Sequence, residues 1–343
     1  MRYVIFGAGA VGSVIGGQLF QYGFDVTLVA RGSHLAALQA DGLTLVAPSG
    51  SVTLPIPAVG EIADAGLTPG DRVILGVKSQ DTMTALTALR AARVDALAVL
   101  CGQNGIENER QALRLFPDVY GICVILPATQ LDPGVVEVNG VPHPGILDLG
   151  RYPGGIDDTA VSVASDLEAA GFSSRPDARI MRLKHTKLLN NLINAVEAAV
   201  GAYPATKAAQ PVVDAAREEA EDCFRAAGFE WTTREEDDAR RDGVMRLAPV
   251  EGRRRPGGST WQSLARGTGR VEVDALNGEI VLLGRLHGVA TPANELLQHL
   301  ATDMAASGAE PGTVDAEALI GMFEDWRSRG GPASSPPPGD ATA

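Results

Sequence analysis

The chain opens with a β-branched and aromatic run, "RYVIF", then the turn "GAGAVG", then "SVIGGQLFQYG", whose apolar positions recur at helical spacing. That helix is expected to end near Gly23, and "DVTLVA" resumes as a strand. "LTLVAPSGSVTLPIPAV" reads as a hairpin turned at Pro48, Ser49 and Gly50. "DRVILGV" and "ALAVLCG" are uniformly apolar, as parallel strands buried on both faces are, with the amphipathic "DTMTALTALRAA" between them. "VYGICVIL", "GVVEVN" and "GILDLG" predict further strands, partly antiparallel, and "DDTAVSVASDLEAAG" predicts a helix that starts on an Asp cap. From about Met181 the period changes. "MRLKHTKLLNNLINAVEAAVG", "AAQPVVDAAREEAEDCFRAAG", "RVEVDALNGEIVLLGRLHG" and "PANELLQHLATDMAASG" read as long helices with Gly or Pro at their ends.

The pattern therefore predicts an α/β domain over residues 1–178 and an all-helical domain over 179–330, followed by a Pro-, Gly- and Ser-rich tail over 331–343 that has too little to bury to order itself. Strand, glycine turn and helix at the N-terminus form the first half of a βαβ unit. A tight turn there, with the backbone close to a pyrophosphate and a helix N-terminus offering unpaired N–H groups, is what Gly7, Gly9 and Gly12 are suited to make. The loop Gly7, Ala8, Gly9, Ala10, Val11 and Gly12 is thus a candidate dinucleotide cradle, and the first domain a Rossmann domain.

The residue after the second strand of such a fold reads the adenosine ribose: a carboxylate bonds the 2′-hydroxyl of NAD, and a basic group accepts the 2′-phosphate of NADP. Here "VARGSH" places Arg31 at that point, with Ser33 and His34 close behind, which favours NADP(H). Ligands of open α/β sheets lie outside the carboxyl ends of the strands. Two more polar residues stand at such ends, Lys78 in "VILGVKSQ" and Asn104 in "VLCGQNG".

Composition narrows the field. The 343 residues are 45% hydrophobic but only 5% aromatic, which suits helices packed on a parallel sheet. A net charge of −13 argues against a nucleic-acid or anionic-membrane surface, so any phosphate must be held locally. Cys101, Cys123 and Cys223 lack metal or redox spacing and read as buried thiols of a reducing, cytoplasmic setting. The five histidines show no ligand spacing, so no metal is expected. Glycines break the N-terminal apolar run, so neither a signal peptide nor a membrane span is expected.

Reduction of a carbonyl needs a proton source beside it and polar groups to hold the substrate. On a helix, Lys187, Asn191 and Asn194 line one face, with Asn190 beside them and Leu188, Leu189, Leu192, Ile193 and Val196 around them. Unpaired polar groups buried in such a stripe cost ~1–3 kcal/mol each, so their presence suggests a task; a helix whose polar side faces water is the other reading. In "GGSTWQSLARGTGRVEVDALNGEI", Ser259 and Thr260 follow a glycine pair, and Glu272 is expected to open a long helix. These are hydroxyls for a carboxylate and an acceptor for a hydroxyl, or simply caps.

Together "GAGAVG", Arg31, "VK" at Lys78, "QNG" at Asn104, "PAT" at Ala128, the Lys-to-Asn helix and "STWQSLARGTGRVEVDALNGEI" before "HGVATPAN" resemble the ketopantoate reductase family, over nearly the whole chain to about residue 310. The resemblance implies a Rossmann domain joined to a helical one, NADPH as cofactor and reduction of the ketone of ketopantoate to the alcohol of pantoate. It implies Lys187 as proton donor and Asn104, Asn191 and Asn194 as substrate contacts. Ser259 or Thr260 would hold the substrate carboxylate, with Lys78, Asn104, Ala128 and Glu272 along the cofactor path. Where the family pattern carries its second Asn this chain has Ala195, with Asn194 one position earlier. A paralogue acting on another 2-oxo acid or an imine, and a dinucleotide sensor without catalysis, stay open, as does a homodimer.

Overall fold

The computed structural model describes residues 1–250, 257–267 and 269–329. The tail expected over 331–343 lies outside the described residues.

The chain packs as two compact units. One comprises Met1–Asn190 and the later stretch that begins at Glu230; the other comprises Asn191–Phe229 and the chain from Gly257. The division therefore falls later than the boundary expected near residue 178, and the first unit recovers a segment from beyond it. Specific bonds return that segment. Met245–Leu247 pairs antiparallel with Gly140–Pro142. Arg240 grips Asp148 through two N–H···O bonds of 2.7 and 2.6 Å, and Thr232 N donates to Thr186 Oγ1 at 2.8 Å.

The first unit is built on a seven-stranded sheet. Its spatial order is Ile146–Arg151, Val119–Ile125, Ala98–Cys101, Arg72–Leu75, Arg2–Phe6, Asp25–Val29 and Ala58–Val59. All neighbours are parallel except Ile146–Arg151, which runs antiparallel to Val119–Ile125. Counted along the chain from the Ala58 edge, the six parallel strands stand in the order 3-2-1-4-5-6 of doubly wound dinucleotide-binding sheets. The order reverses between Arg2–Phe6 and Arg72–Leu75, and the crevice at such a switch point is where ligands sit. Buried residues such as Ile5, Leu28, Ile74, Leu100 and Ile122 explain why these strands read as uniformly apolar.

A second, four-stranded sheet contains the expected hairpin, Leu43–Ala47 against Gly50–Leu54, with Ala47 opposite Gly50 across the turn. It also contains Val135–Val138 and the short strand Ala128–Thr129. Asp157 caps the helix Asp158–Ala169 by accepting from Ala160 N at 2.9 Å.

The second unit is helical among its described residues. Gln210–Ala227, Asn277–His287, Pro292–Ser307 and Ala316–Ser328 bury Val212, Leu297, Met304 and Phe323 with Val196 and Ala199. Two helical expectations need correction. The segment expected as one helix from Met181 is two, Ile180–Asn191 and Ile193–Val200. At the break the Leu192 carbonyl accepts from Asn277 Nδ2 at 3.5 Å. Glu272 does not open the long helix. It precedes a 3₁₀ turn, Val273–Ala275, and the α-helix starts at Asn277 after Leu276 leaves helical geometry. Asp274 of that turn accepts from Gln298 Nε2 at 2.7 Å, which holds the turn in place.

Candidate active site

In the first unit the strand ends gather most of the expected cofactor residues on one edge of the sheet. Gly7 follows Arg2–Phe6, Arg31 follows Asp25–Val29, Lys78 follows Arg72–Leu75, Asn104 follows Ala98–Cys101, and Ala128 follows Val119–Ile125.

The three glycines of the loop have different duties. Gly7 has φ +105°, and a Cβ there would strike the Val77 backbone. A Cβ on Gly12 would strike the Gly7 carbonyl, so this glycine lets helix and strand pack closely. Gly9 is otherwise: its φ is −79°, ordinary for any residue, and a Cβ there would meet nothing nearer than Gln130 Oε1 at 4.0 Å. No neighbour among the described residues requires a glycine at 9, so its lack of a side chain leaves room for something that approaches the backbone. Gly9 also begins the helix Ala10–Gln21, which has no side-chain cap and no acidic residue in its first turn. The N–H groups of Ala10, Val11 and Gly12 are therefore the orphan donors of a helix start, suited to an anion. The residues fit a dinucleotide pyrophosphate. Gly7 and Ala8 pin the loop to the second strand: both N–H groups donate to Val29 O, at 3.1 and 3.0 Å.

A substitution separates these roles. Gly9→Val is expected to leave the melting temperature near that of the wild type while weakening dinucleotide binding by about tenfold or more, a change of at least about 1.4 kcal/mol. Cofactor titration followed by fluorescence, beside a thermal melt, checks it. Undiminished affinity would remove the loop from the site.

Arg31 is exposed and begins the helix Gly32–Asp41. Behind it, His34 Nδ1 accepts from Gly134 N at 2.9 Å, and Nε2 faces Ser13 Oγ at 3.4 Å. Ser13 Oγ in turn donates to Ala8 O at 2.8 Å. Burial pushes the His34 imidazole below its usual range, so the neutral ring links the glycine loop to the second sheet.

The loops after the next two strands are tied to each other. Asn108 Nδ2 donates to Asn104 O at 2.9 Å and to Ser79 Oγ at 3.3 Å. Gln103 Nε2 donates to Val77 O at 3.0 Å and Thr82 Oγ1 at 2.7 Å, and Thr82 Oγ1 donates to Asn108 Oδ1 at 2.8 Å. This network fixes the backbone that carries Lys78 and Asn104.

The helix Ile180–Asn191 carries two lysines with different fates. Lys184 is buried, and its ammonium donates to Gln103 O at 2.9 Å and Ile122 O at 3.3 Å and pairs with Glu109 Oε1 at 2.6 Å. Lys187 is half-buried and close enough to Cys123 to act on it: burial pushes that thiol up to about 11, against the charges of Lys187 and Lys184.

In the second unit, Asn194 Nδ2 donates to Ser259 Oγ at 3.2 Å, which brings two expected substrate residues together. Thr260 is buried at 2% exposure whereas Ser259 is partly open. Asn191 is buried, and its Oδ1 has no hydrogen-bond partner among the described residues. Glu272 is buried, and its charge opposes the downward push that burial exerts on the Arg266 guanidinium.

Four further residues belong to this picture. Lys184, Glu109 and Gln130 stand in the first unit. In the second, Glu197 Oε2 accepts from Gly258 N at 2.9 Å, where a Cβ on Gly258 would come within 2.7 Å of that oxygen and 2.8 Å of Asn194 Oδ1. Glu197 lies one turn beyond Asn194, so following the polar stripe past Asn194 would have reached it. Among the described residues no His, Cys, Asp or Glu cluster could hold a metal ion, and no helix is long and apolar enough to cross a membrane.

A doubly wound sheet with an open glycine cradle at its switch point, followed by a helical unit with clustered Asn and Ser, defines a dinucleotide-binding α/β protein with a second, helical domain. The ketopantoate reductase PanE/ApbA model matches residues 3–154, and its C-terminal counterpart matches residues 179–305. The chain belongs to the ketopantoate reductase family. It is 30% identical to the 2-dehydropantoate 2-reductase of Pyrococcus horikoshii over 87% of this chain and 95% of that one. The Halobacterium salinarum enzyme of the same name is 32% identical over 88% and 97%. Among solved structures, a PanE/ApbA family ketopantoate reductase from Ralstonia eutropha superposes with a TM-score of 0.74 at 29% identity, covering 90% of this chain and 99% of that one. A D-mandelate dehydrogenase in ternary complex with NADH and anilino(oxo)acetate shares the fold, with a TM-score of 0.75 at 23% identity over 90% and 99%.

Proposed function

We propose that the protein is an NADPH-dependent reductase of a small 2-oxo acid, with ketopantoate, which it would convert to pantoate, as the first substrate to test. The observation that carries this reading is the glycine cradle, in which no neighbour among the described residues requires Gly9 and the helix behind it starts uncapped. Its membership of the ketopantoate reductase family supports the substrate class.

Gly9, Ala10, Val11 and Gly12 would hold the pyrophosphate and Arg31 the 2′-phosphate. Lys78, Asn104 and Ala128 would line the path of the dinucleotide, which when bound supplies a hydride. Lys187 would give a proton to the carbonyl oxygen, so that the ketone gains hydride at carbon and proton at oxygen and leaves as the alcohol. Lys184 is less suited as a donor, because its ammonium is sealed from solvent, bonded to two carbonyls and paired with Glu109. Asn104, Asn191 and Asn194 would place the substrate. The Asn191 Oδ1, buried without a partner among the described residues, is an acceptor suited to a donor such as a substrate hydroxyl. Ser259 Oγ accepts from Asn194, which leaves its own proton to donate to a carboxylate. Thr260 would serve as its neighbour in the helix start, and Glu272 would approach the nicotinamide ribose or the substrate hydroxyl.

NADPH consumption measured against a panel of 2-oxo acids that includes ketopantoate tests the reading. Turnover is expected for a branched hydroxylated acid of the ketopantoate kind. Failure of every 2-oxo acid, with NADPH shown to bind, would contradict it.

A further inference from the structure

We propose that the Lys184–Glu109 ion pair is a positioning device for the reduction, holding the loop that carries Asn104 in fixed relation to the helix that carries Lys187. The proposal rests on the reductase reading above. Both side chains are sealed from solvent, Lys184 at 2% and Glu109 at 0% exposure. From the helix Ile180–Asn191 the ammonium reaches three separate elements. These are Glu109 on the helix Asn108–Leu113, the Gln103 carbonyl directly before Asn104, and the Ile122 carbonyl in the strand Val119–Ile125. The strand makes room for the pair with a glycine: a Cβ on Gly121 would come within 3.3 Å of both Glu109 Oε1 and Lys184 Cδ.

Stability alone does not account for such a pair. Apolar residues of similar volume at the two positions generally hold a fold as well or better, because they avoid the cost of stripping two charges of water. What an apolar pair lacks is a donor for the Gln103 carbonyl. The Gln103 side chain is already bound to Val77 O and Thr82 Oγ1, so its backbone carbonyl is the point at which the Lys187 helix addresses the Asn104 loop. Burial pushes the Glu109 carboxyl up, and the Lys184 ammonium opposes it. Glu109 thus owes its charge to Lys184. Lys184 and Glu109 touch neither substrate nor cofactor in this account; they are positioning residues.

The test compares the wild type with the double variant Lys184→Met/Glu109→Leu and with Gly121→Ala, which presses on the pair without removing it. The double variant is expected to melt near the wild-type temperature and to bind NADPH within about threefold, while kcat falls about 10- to 100-fold, the scale on which small misplacements of reacting groups cost rate. Gly121→Ala is expected to lower kcat with KM for NADPH unchanged, and in the double-variant background to have no further effect. If the double variant does not fold, Gly121→Ala decides alone: unchanged kcat overturns the proposal. Wild-type kcat and KM in a folded double variant overturn it as well, and then the pair is only packing. A wild type that turns over no 2-oxo acid contradicts the reductase reading and takes the proposal with it, whereas an active wild type beside an equally active double variant contradicts the proposal alone.

Discussion

Lys187→Ala is expected to lower kcat by ~10²–10⁴, the usual worth of a positioned general acid, while NADPH affinity stays close to that of the wild type. The separation follows from placement. The cradle at Gly9 and the Arg31 strand end bind the cofactor in this account, and Lys187 stands on a different element, the helix Ile180–Asn191. A loss confined to kcat, with kcat/KM falling in parallel, is the signature of an interaction made only in the transition state. Single-turnover oxidation of bound NADPH reads the chemical step, and a fluorescence titration reads binding. If the variant turns over within a few-fold of the wild type, Lys187 is a structural residue and the donor must be sought elsewhere.

The second large effect is expected at Arg31. An exposed arginine at the end of the second strand, where NAD enzymes carry a carboxylate, offers a charge-assisted contact worth ~1.5–3 kcal/mol to a 2′-phosphate, or about 10- to 100-fold in affinity. Arg31→Ala should therefore raise the dissociation constant for NADPH by that factor and leave that for NADH almost unchanged, so that the preference collapses. The measurement is a pair of titrations with each cofactor on each protein. Equal use of NADH and NADPH by the wild type would show that Arg31 reads nothing.

What was legible in the sequence, and what was not, divides by the range of the interactions. The strand, glycine loop and helix at residues 2–21 are set by local rules: apolar runs, and turns that only glycine makes without strain. They appear where the pattern put them, as does the hairpin at Ala47 and Gly50. The distinction among the three glycines was not legible, because it depends on Val77 and Gly7 O as neighbours in space. Nor was the return of the Glu230 segment to the first unit, which rests on Arg240 with Asp148 and on pairing between Gly140–Pro142 and Met245–Leu247. At Leu192 the backbone stays near helical angles, φ −60° and ψ −30°, so no local signal marked the break. The helix Ala316–Ser328 did carry a signal, the Asp315 cap ahead of the buried Leu319 and Phe323. Nothing in the sequence sets Lys184 apart; its importance comes from Glu109, which only the folded chain brings to it.

In the proposed reaction hydride passes from NADPH to the carbonyl carbon of a 2-oxo acid. The most direct measurement uses NADPH deuterated at the transferable position of the nicotinamide ring, incubated with the wild type and ketopantoate, with the product analysed by mass spectrometry and NMR. The account predicts pantoate carrying deuterium at C2, formed in step with cofactor oxidation, and unlabelled C2 when the deuterium is instead supplied as solvent. Pantoate that takes its C2 hydrogen from solvent, or cofactor that binds and is never oxidised by any 2-oxo acid, would contradict it.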